Sequence, residues 1–272
     1  MKHDAFMQRS LQNFIRALGR ALESEELAKA GGLLQRLDPR VKVIGLPALI
    51  VAAAVSRRLA VIAAIFLVSV VLAILSQIPL RTLATRIWIA VLVFTGVIAL
   101  PAVFITPGTS LYRLPLLGWT VTAQGAHSAF FLIGRTETAA TLSLLLVLST
   151  PWSYVLKALR TLGVPTVLVV IFGMTYRYIF LLLATARDLF ESRQSRTVGK
   201  LSGRERRRIT ASTAGALMDK SFQLSHEVYL AMQSRGFTGE AHVLSDFAMK
   251  RRDYAGLALL LALSVTALWW GR

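Results

Sequence analysis

The sequence predicts an all-α polytopic membrane protein, with about five spanning helices and a cytoplasmic domain of amphipathic helices. Three observations predict it. The 272 residues are 55% hydrophobic and only 17% charged, with a mean hydropathy of +0.59, too apolar for an ordinary soluble domain. The apolar residues gather in six runs, at about 42–55, 59–76, 87–106, 128–149, 165–185 and 254–270. A polar block at 186–253, with 13 Lys/Arg and 8 Asp/Glu, interrupts them. The net charge of +17 would suggest a nucleic-acid partner for a soluble protein. In a membrane protein it reads first as cytoplasmic loops with a positive bias, so the bilayer is expected as a partner and nucleic acid is not.

Residues 1–36 read as an amphipathic cytoplasmic segment. Phe6, Leu11, Phe14, Ile15, Leu18 and Leu22 form one apolar face, suited either to the cytoplasmic leaflet or to a partner. No early apolar core precedes a small-residue cleavage site, so this is not read as a signal peptide. Transmembrane helices follow over 37–149. Asp38 reads as an N-cap with Pro39 at the first helical position, and a subunit contact is the other reading of the pair. Ser56-Arg57-Arg58 separates the first two runs, which form either a tight hairpin with a short first arm or one bent helix. Arg135 lies inside the 128–149 run, where an unpaired Arg costs ~2.5–3.5 kcal/mol. Glu137, two residues on, points to a different face. Each is expected to pair with a group on another helix, as part of an internal scaffold.

Residues 150–253 read as the cytoplasmic domain, and parity shapes that reading. If it and the N-terminus share the cytoplasm, an even number of spans precedes residue 186, yet five runs do. The run at 165–185 is taken as the one that does not cross. It carries Arg177 between Tyr176 and Tyr178, where the guanidinium can snorkel to headgroup level. About 166–196 is then one long helix, starting after Pro165 and lying oblique to or along the membrane. This places 26 of the 31 Lys/Arg inside, four outside (Arg57, Arg58, Arg113 and Arg272) and Arg135 within a span. Gly203–Arg208, "GRERRR", reads as a basic loop. A second amphipathic helix is expected over about 209–235, with Leu217, Leu224, Val228 and Ala231 on one face and Gly236 as its C′ residue. Residues 254–272 return as the last span, with Trp269 and Trp270 at the far interface.

The motifs of an enzyme are missing. There is no cysteine, no Gly-x-x-x-x-Gly-Lys-[Ser/Thr] phosphate loop, no His-Glu-x-x-His and no Gly-x-Ser-x-Gly. The four histidines are scattered; Met1-Lys2-His3 could wrap a square-planar ion, but a third-position His also arises by chance. No catalytic residue, metal site or bound cofactor is expected in this chain.

Two tips remain. Gln194-Ser195-Arg196 closes the first long helix, and Gln233-Ser234-Arg235-Gly236 the second. An Arg at a helix C-terminus complements the dipole for about 0.3–1 kcal/mol. That explains either tip but not the repetition. A small residue before the Arg admits it to a narrow groove, and its planar fork matches a carboxylate. Two such plugs suggest two copies of a soluble partner.

Several stretches carry a family resemblance: Leu37–Lys42 (LDPRVK), Pro115–Gly125 (PLLGWTVTAQG), Arg135, Ser149–Pro165 (STPWSYVLKALRTLGVP), Tyr176–Phe180 (YRYIF) and Tyr229–Gly239 (YLAMQSRGFTG). Over about residues 36–240 the chain resembles the transmembrane T component of energy-coupling factor transporters, in the cobalt/nickel, CbiQ-like branch. The resemblance implies a scaffold joining a substrate-binding membrane subunit to a pair of ABC-type ATPases in a bacterial inner membrane, with the N-terminus and the domain at 150–253 cytoplasmic. It makes 150–253 a coupling domain, whose contact residues would be Ser195, Arg196, Thr197, Ser234, Arg235 and Gly236. The first tip departs from the family's Ala-Arg-Gly form through Ser195 and Thr197. Asp38, Pro39, Arg135, Glu137 and Arg177 would serve structure or subunit contact. ATP and magnesium would sit in the ATPases, and the cargo, cobalt or nickel, in the substrate subunit. Other readings are a T component for a vitamin or other micronutrient, and a secondary transporter, for which Arg135 and Glu137 are thin support.

Overall fold

A computed structural model describes residues 19, 26–28, 31–105, 109–113, 120–196, 202–237 and 249–272. The chain divides into two compact units, Glu25–Ala158 with Phe247–Arg272, and Leu159–Asp246 with Met1–Ser24. The N-terminal amphipathic face, Met1-Lys2-His3 and Thr197 lie outside the described residues.

In the first unit a short turn, α1 (Leu33–Arg36), leads into α2 (Pro39–Val55). The start of α2 follows its sequence: Asp38 accepts from Arg40 N at 2.8 Å, and Pro39 fills the position where an amide would go unused. The chain leaves the helix at Ser56 with extended backbone (φ −59°, ψ 137°) and re-enters α3 (Leu59–Leu75), so the first two runs form a hairpin. After Pro79, α4 (Leu80–Leu83), a π-helical turn (Ala84–Trp88) and α5 (Ile89–Ile105) follow without a break. The helical rod thus starts seven residues before the apolar run at 87, because Pro79 can precede a helix start but not continue one. Two short antiparallel strands, β1 (Ser110–Arg113) and β2 (Thr120–Thr122), are the departure from helix among the described residues, with Ser110 opposite Thr122 and Arg113 opposite Thr120. The Thr122 hydroxyl then accepts from Gly125 N at 3.1 Å and caps α6 (Ala123–Ser149).

The helix α6 packs on α2, α3 and α5, and α10 (Arg251–Gly271) packs along α2. Val41, Leu46, Leu49, Ile65, Leu142 and Leu260 form a buried core between these helices. Close approach of α10 to α2 depends on Gly45, where a Cβ would come within 2.5 Å of Leu260 Cδ1. A second core of Leu34, Ala73, Ile78, Leu83, Leu145 and Leu148 lies where α1, α3 and α4 meet α6. Trp88, on the π-turn, donates from Nε1 to the Thr141 hydroxyl (3.1 Å), which donates to the Glu137 carbonyl (2.7 Å).

α7 (Trp152–Thr161) follows α6 and buries Leu156 and Ala158. The second unit holds two long helices, α8 (Thr166–Arg196) and α9 (Gly203–Ser234). α8 is uninterrupted through Gly173. α9 overturns one expectation: Gly203–Arg208 is not a loop but its first turns. Ser202 and Glu205 form a capping box, with Glu205 N to the Ser202 hydroxyl at 3.2 Å and Ser202 N to Glu205 Oε2 at 2.7 Å. With the start secured, arginines, which are good helix formers, continue it. The inward stripe of α9 is Ile209, Thr213, Leu217, Ser221, Leu224, Val228 and Met232. Ala231 is exposed, and Met232 takes the place expected for it, continuing the i+4 step from Val228.

Helices α6, α8 and α10 are long and apolar enough to cross a membrane, and Leu59–Leu75 and Ile89–Pro101 are shorter apolar helices. The protein is a multi-pass helical membrane protein.

Candidate coupling tips and a polar joint

The two tips end successive helices of one unit, and they share a local geometry. Ser195 Oγ donates to the Ser192 carbonyl at 2.9 Å, and Ser234 Oγ donates to the Ala231 carbonyl at 3.0 Å. Each serine thereby adds a side-chain bond to a backbone carbonyl of its own last turn. Arg196 and Arg235 are exposed beyond them, neither side chain bonded among the described residues. The second tip is closed by a Schellman arrangement: Phe237 N reaches the Met232 carbonyl and Gly236 N the Gln233 carbonyl, both at 3.0 Å. This requires a left-handed residue, and Gly236 supplies it at φ 67°. Gln233 Nε2 bonds the Tyr229 hydroxyl at 2.7 Å.

The tips stand well apart. Arg193, one turn before Arg196, donates from Nη2 to Ser212 Oγ at 2.7 Å. Ser234 lies 22 residues along α9 from Ser212, roughly 33 Å at 1.5 Å per residue. Such a separation suits two contacts better than one shared pocket.

A polar joint gathers three helix ends in the first unit. Asp38 N donates to Asp253 Oδ1 at 3.0 Å, and Lys250 N donates to Oδ2 of the same carboxylate at 2.8 Å. Lys42 Nζ, almost wholly buried, donates to the Ser149 carbonyl at 2.8 Å. Arg252 Nη2 reaches the Arg36 carbonyl at 3.1 Å. The segment Leu37–Lys42 therefore ties the start of α2 to the end of α6 and the start of α10. Asp38 is the N-cap that its sequence suggests. Asp253 and Lys42 were missed, because their partners lie 215 and 107 residues away.

Arg135 and Glu137 are not brought together. Arg135 Nη2 donates to the Ser56 carbonyl at 2.9 Å and its guanidinium lies 4.7 Å from the Phe131 ring centroid. It thus ties α6 to the α2–α3 turn through backbone, not through an acid. The expectation that Glu137 pairs on another helix fails: both its carboxylate oxygens are buried without a hydrogen-bond partner among the described residues. Arg177 is exposed on α8, beside the Tyr176–Phe180 edge-to-face pair (5.1 Å).

The model of the CbiQ family, described as cobalt transport protein, matches residues 31–244. The chain belongs to this family. The match takes in the Leu37–Lys42 side of the polar joint at its start and both tips toward its end, while Lys250–Asp253 lie beyond it. Among relatives, the chain is 28% identical over 184 residues to the cobalt transport protein CbiQ of Rhodobacter capsulatus, covering 67% of this chain and 72% of that one. It is 31% identical over 271 residues to an uncharacterized protein of Methanocaldococcus jannaschii, covering 98% of this chain and 91% of that one. The chain is accordingly a membrane component of cobalt-transport type.

Proposed function

We propose that this chain is the T component of an energy-coupling factor importer, the non-catalytic membrane scaffold that carries motion from an ATPase pair to a substrate-binding membrane subunit. The observation that carries this reading is the pair of exposed arginines, Arg196 and Arg235, each set after a serine bonded back to its own helix. Each tip presents a fork of donors on a stiff rod, suited to a carboxylate-lined groove. Their roughly 33 Å spacing along α9 fits two equivalent ATPases, one tip in each. ATP and magnesium then belong to those ATPases. Met218, Phe222 and Tyr229 form an exposed apolar stripe on α9, away from its inward face, and suit an apolar partner such as the substrate subunit. Cobalt is the cargo favoured by the family, with nickel the alternative. The setting proposed is the cytoplasmic membrane, with the tips on the cytoplasmic side.

A pull-down from detergent-solubilised membranes tests the reading. Wild type should bring down an ABC-type ATPase, and Arg196→Ala with Arg235→Ala should lose it while remaining inserted. A carboxylate stranded in the partner groove adds ~1–3 kcal/mol to the loss. Equal recovery with both proteins, or none with either, sinks the proposal.

A further inference from the structure

At the Ser56 end of the first unit, three helices wall an apolar groove of about 970 Å³. Small residues create it: Ala60 and Ala64 on α3 face Thr266 and Ala267 on α10, and Leu49 of α2 forms the floor. A bulkier pair across this gap would close it. The volume lies at the upper end of the range for small-molecule sites, which is about 300–1,000 Å³. The lining is almost wholly apolar, with Arg58 at the mouth.

The mouth is ordered. Arg57 N donates to the Gly271 carbonyl at 2.7 Å, which ties the α2–α3 turn to the end of α10. Arg58 stands on one side, exposed, and its guanidinium makes no hydrogen bond or ion pair among the described residues. α3 begins there with no side chain capping its first turn. Trp269 and Trp270, 84% and 73% exposed, stand on the other side, as aromatics of a membrane–water interface do. An apolar trough with Arg58 in its lining, exposed Arg57 and Arg272 beside it in the chain, and an indole pair at its interfacial end has two ends of different chemistry. An occupant must be amphipathic, with a hydrocarbon chain below and an anion above.

We infer that this groove holds a phospholipid with an anionic headgroup: one acyl chain between α3 and α10 over Leu49, and the phosphate on Arg58. A helix of a partner subunit would fill the apolar trough equally well, but would leave Arg58 without a counter-charge unless it brought an acid. The lipid satisfies both ends.

Native mass spectrometry of the purified chain, washed in detergent and exchanged against phosphatidylglycerol or phosphatidylcholine, tests this. Wild type should keep one lipid and prefer phosphatidylglycerol about fivefold, the effect of one basic residue at a membrane surface. Arg58→Gln should keep one lipid and lose most of the preference, and Arg58→Gln that prefers phosphatidylglycerol as strongly as wild type takes the phosphate off Arg58. Ala64→Phe, which fills the trough, should lose the lipid; Thr266→Phe does the same from the opposite wall should the first variant fail to fold. Wild type that keeps no lipid, or fillers that keep as much as wild type, overturns the assignment. So does a cysteine at Thr266, unique in a chain with none, that cross-links to a membrane partner in the assembled complex.

Discussion

At the scale of single residues, the polar joint shows how few side chains fix a membrane bundle. One carboxylate, Asp253, receives amides from the starts of two helices and is 3% exposed. Asp253→Ala strands both donors, at ~1–3 kcal/mol for each one left buried. Thermal unfolding in detergent should show a clearly lower midpoint for Asp253→Ala than for Asp253→Asn, which keeps one acceptor; equal midpoints would remove the joint from the account. Asp38 could be read from sequence, since an N-cap and the proline after it are a local signal. Asp253 could not, because the meaning of an acid at residue 253 depends on an amide at residue 38. Glu137 misled for a related reason: helical spacing says which way a side chain points but not whether anything waits there.

At the scale of elements, helix interiors were legible and some helix starts were not. Apolar periodicity marks the body of α9, while its first turns carry charge alone, so "GRERRR" reads as loop. The deciding signal is Ser202-x-x-Glu205, a capping box set directly before the arginines. It carries a pH dependence. Hydrogen bonding from the Ser202 backbone, and then from its hydroxyl, holds the Glu205 carboxyl below its ordinary value. The ionised form therefore favours the folded helix start. Its contribution is full above the ordinary Glu value of about 4.3 and fades as pH falls through the depressed one. Amide exchange at Gly203–Arg206, corrected for intrinsic rates, should quicken in acid and should do so at every pH in Glu205→Ala. A rate unchanged by either would show that the box does not hold the start. The far end of α9 was readable because a glycine after a polar Arg has few other uses.

At the scale of the whole molecule, α8 raises the question of sidedness. By length and composition it can cross a bilayer, yet the charge distribution argues that it does not. A cysteine-free chain makes the test clean: single cysteines at Gly163 and Ser202 flank α8, and in sealed vesicles an impermeant reagent should reach both from the same side. Labelling from opposite sides would mean that α8 spans and that the role proposed for the two arginine tips needs a new account. The α2–α3 hairpin has a further consequence. Each arm is 17 residues, about 25 Å, against a hydrocarbon core of about 30 Å. Lipid beside this hairpin must shorten to meet it, at a fraction of a kcal/mol per Å. The protein thereby dimples its own solvent, and under the proposed function a substrate subunit rocking within that dimple would meet a softer, thinner medium than the bilayer beyond, so transport should respond to acyl-chain length even where every protein contact is unchanged.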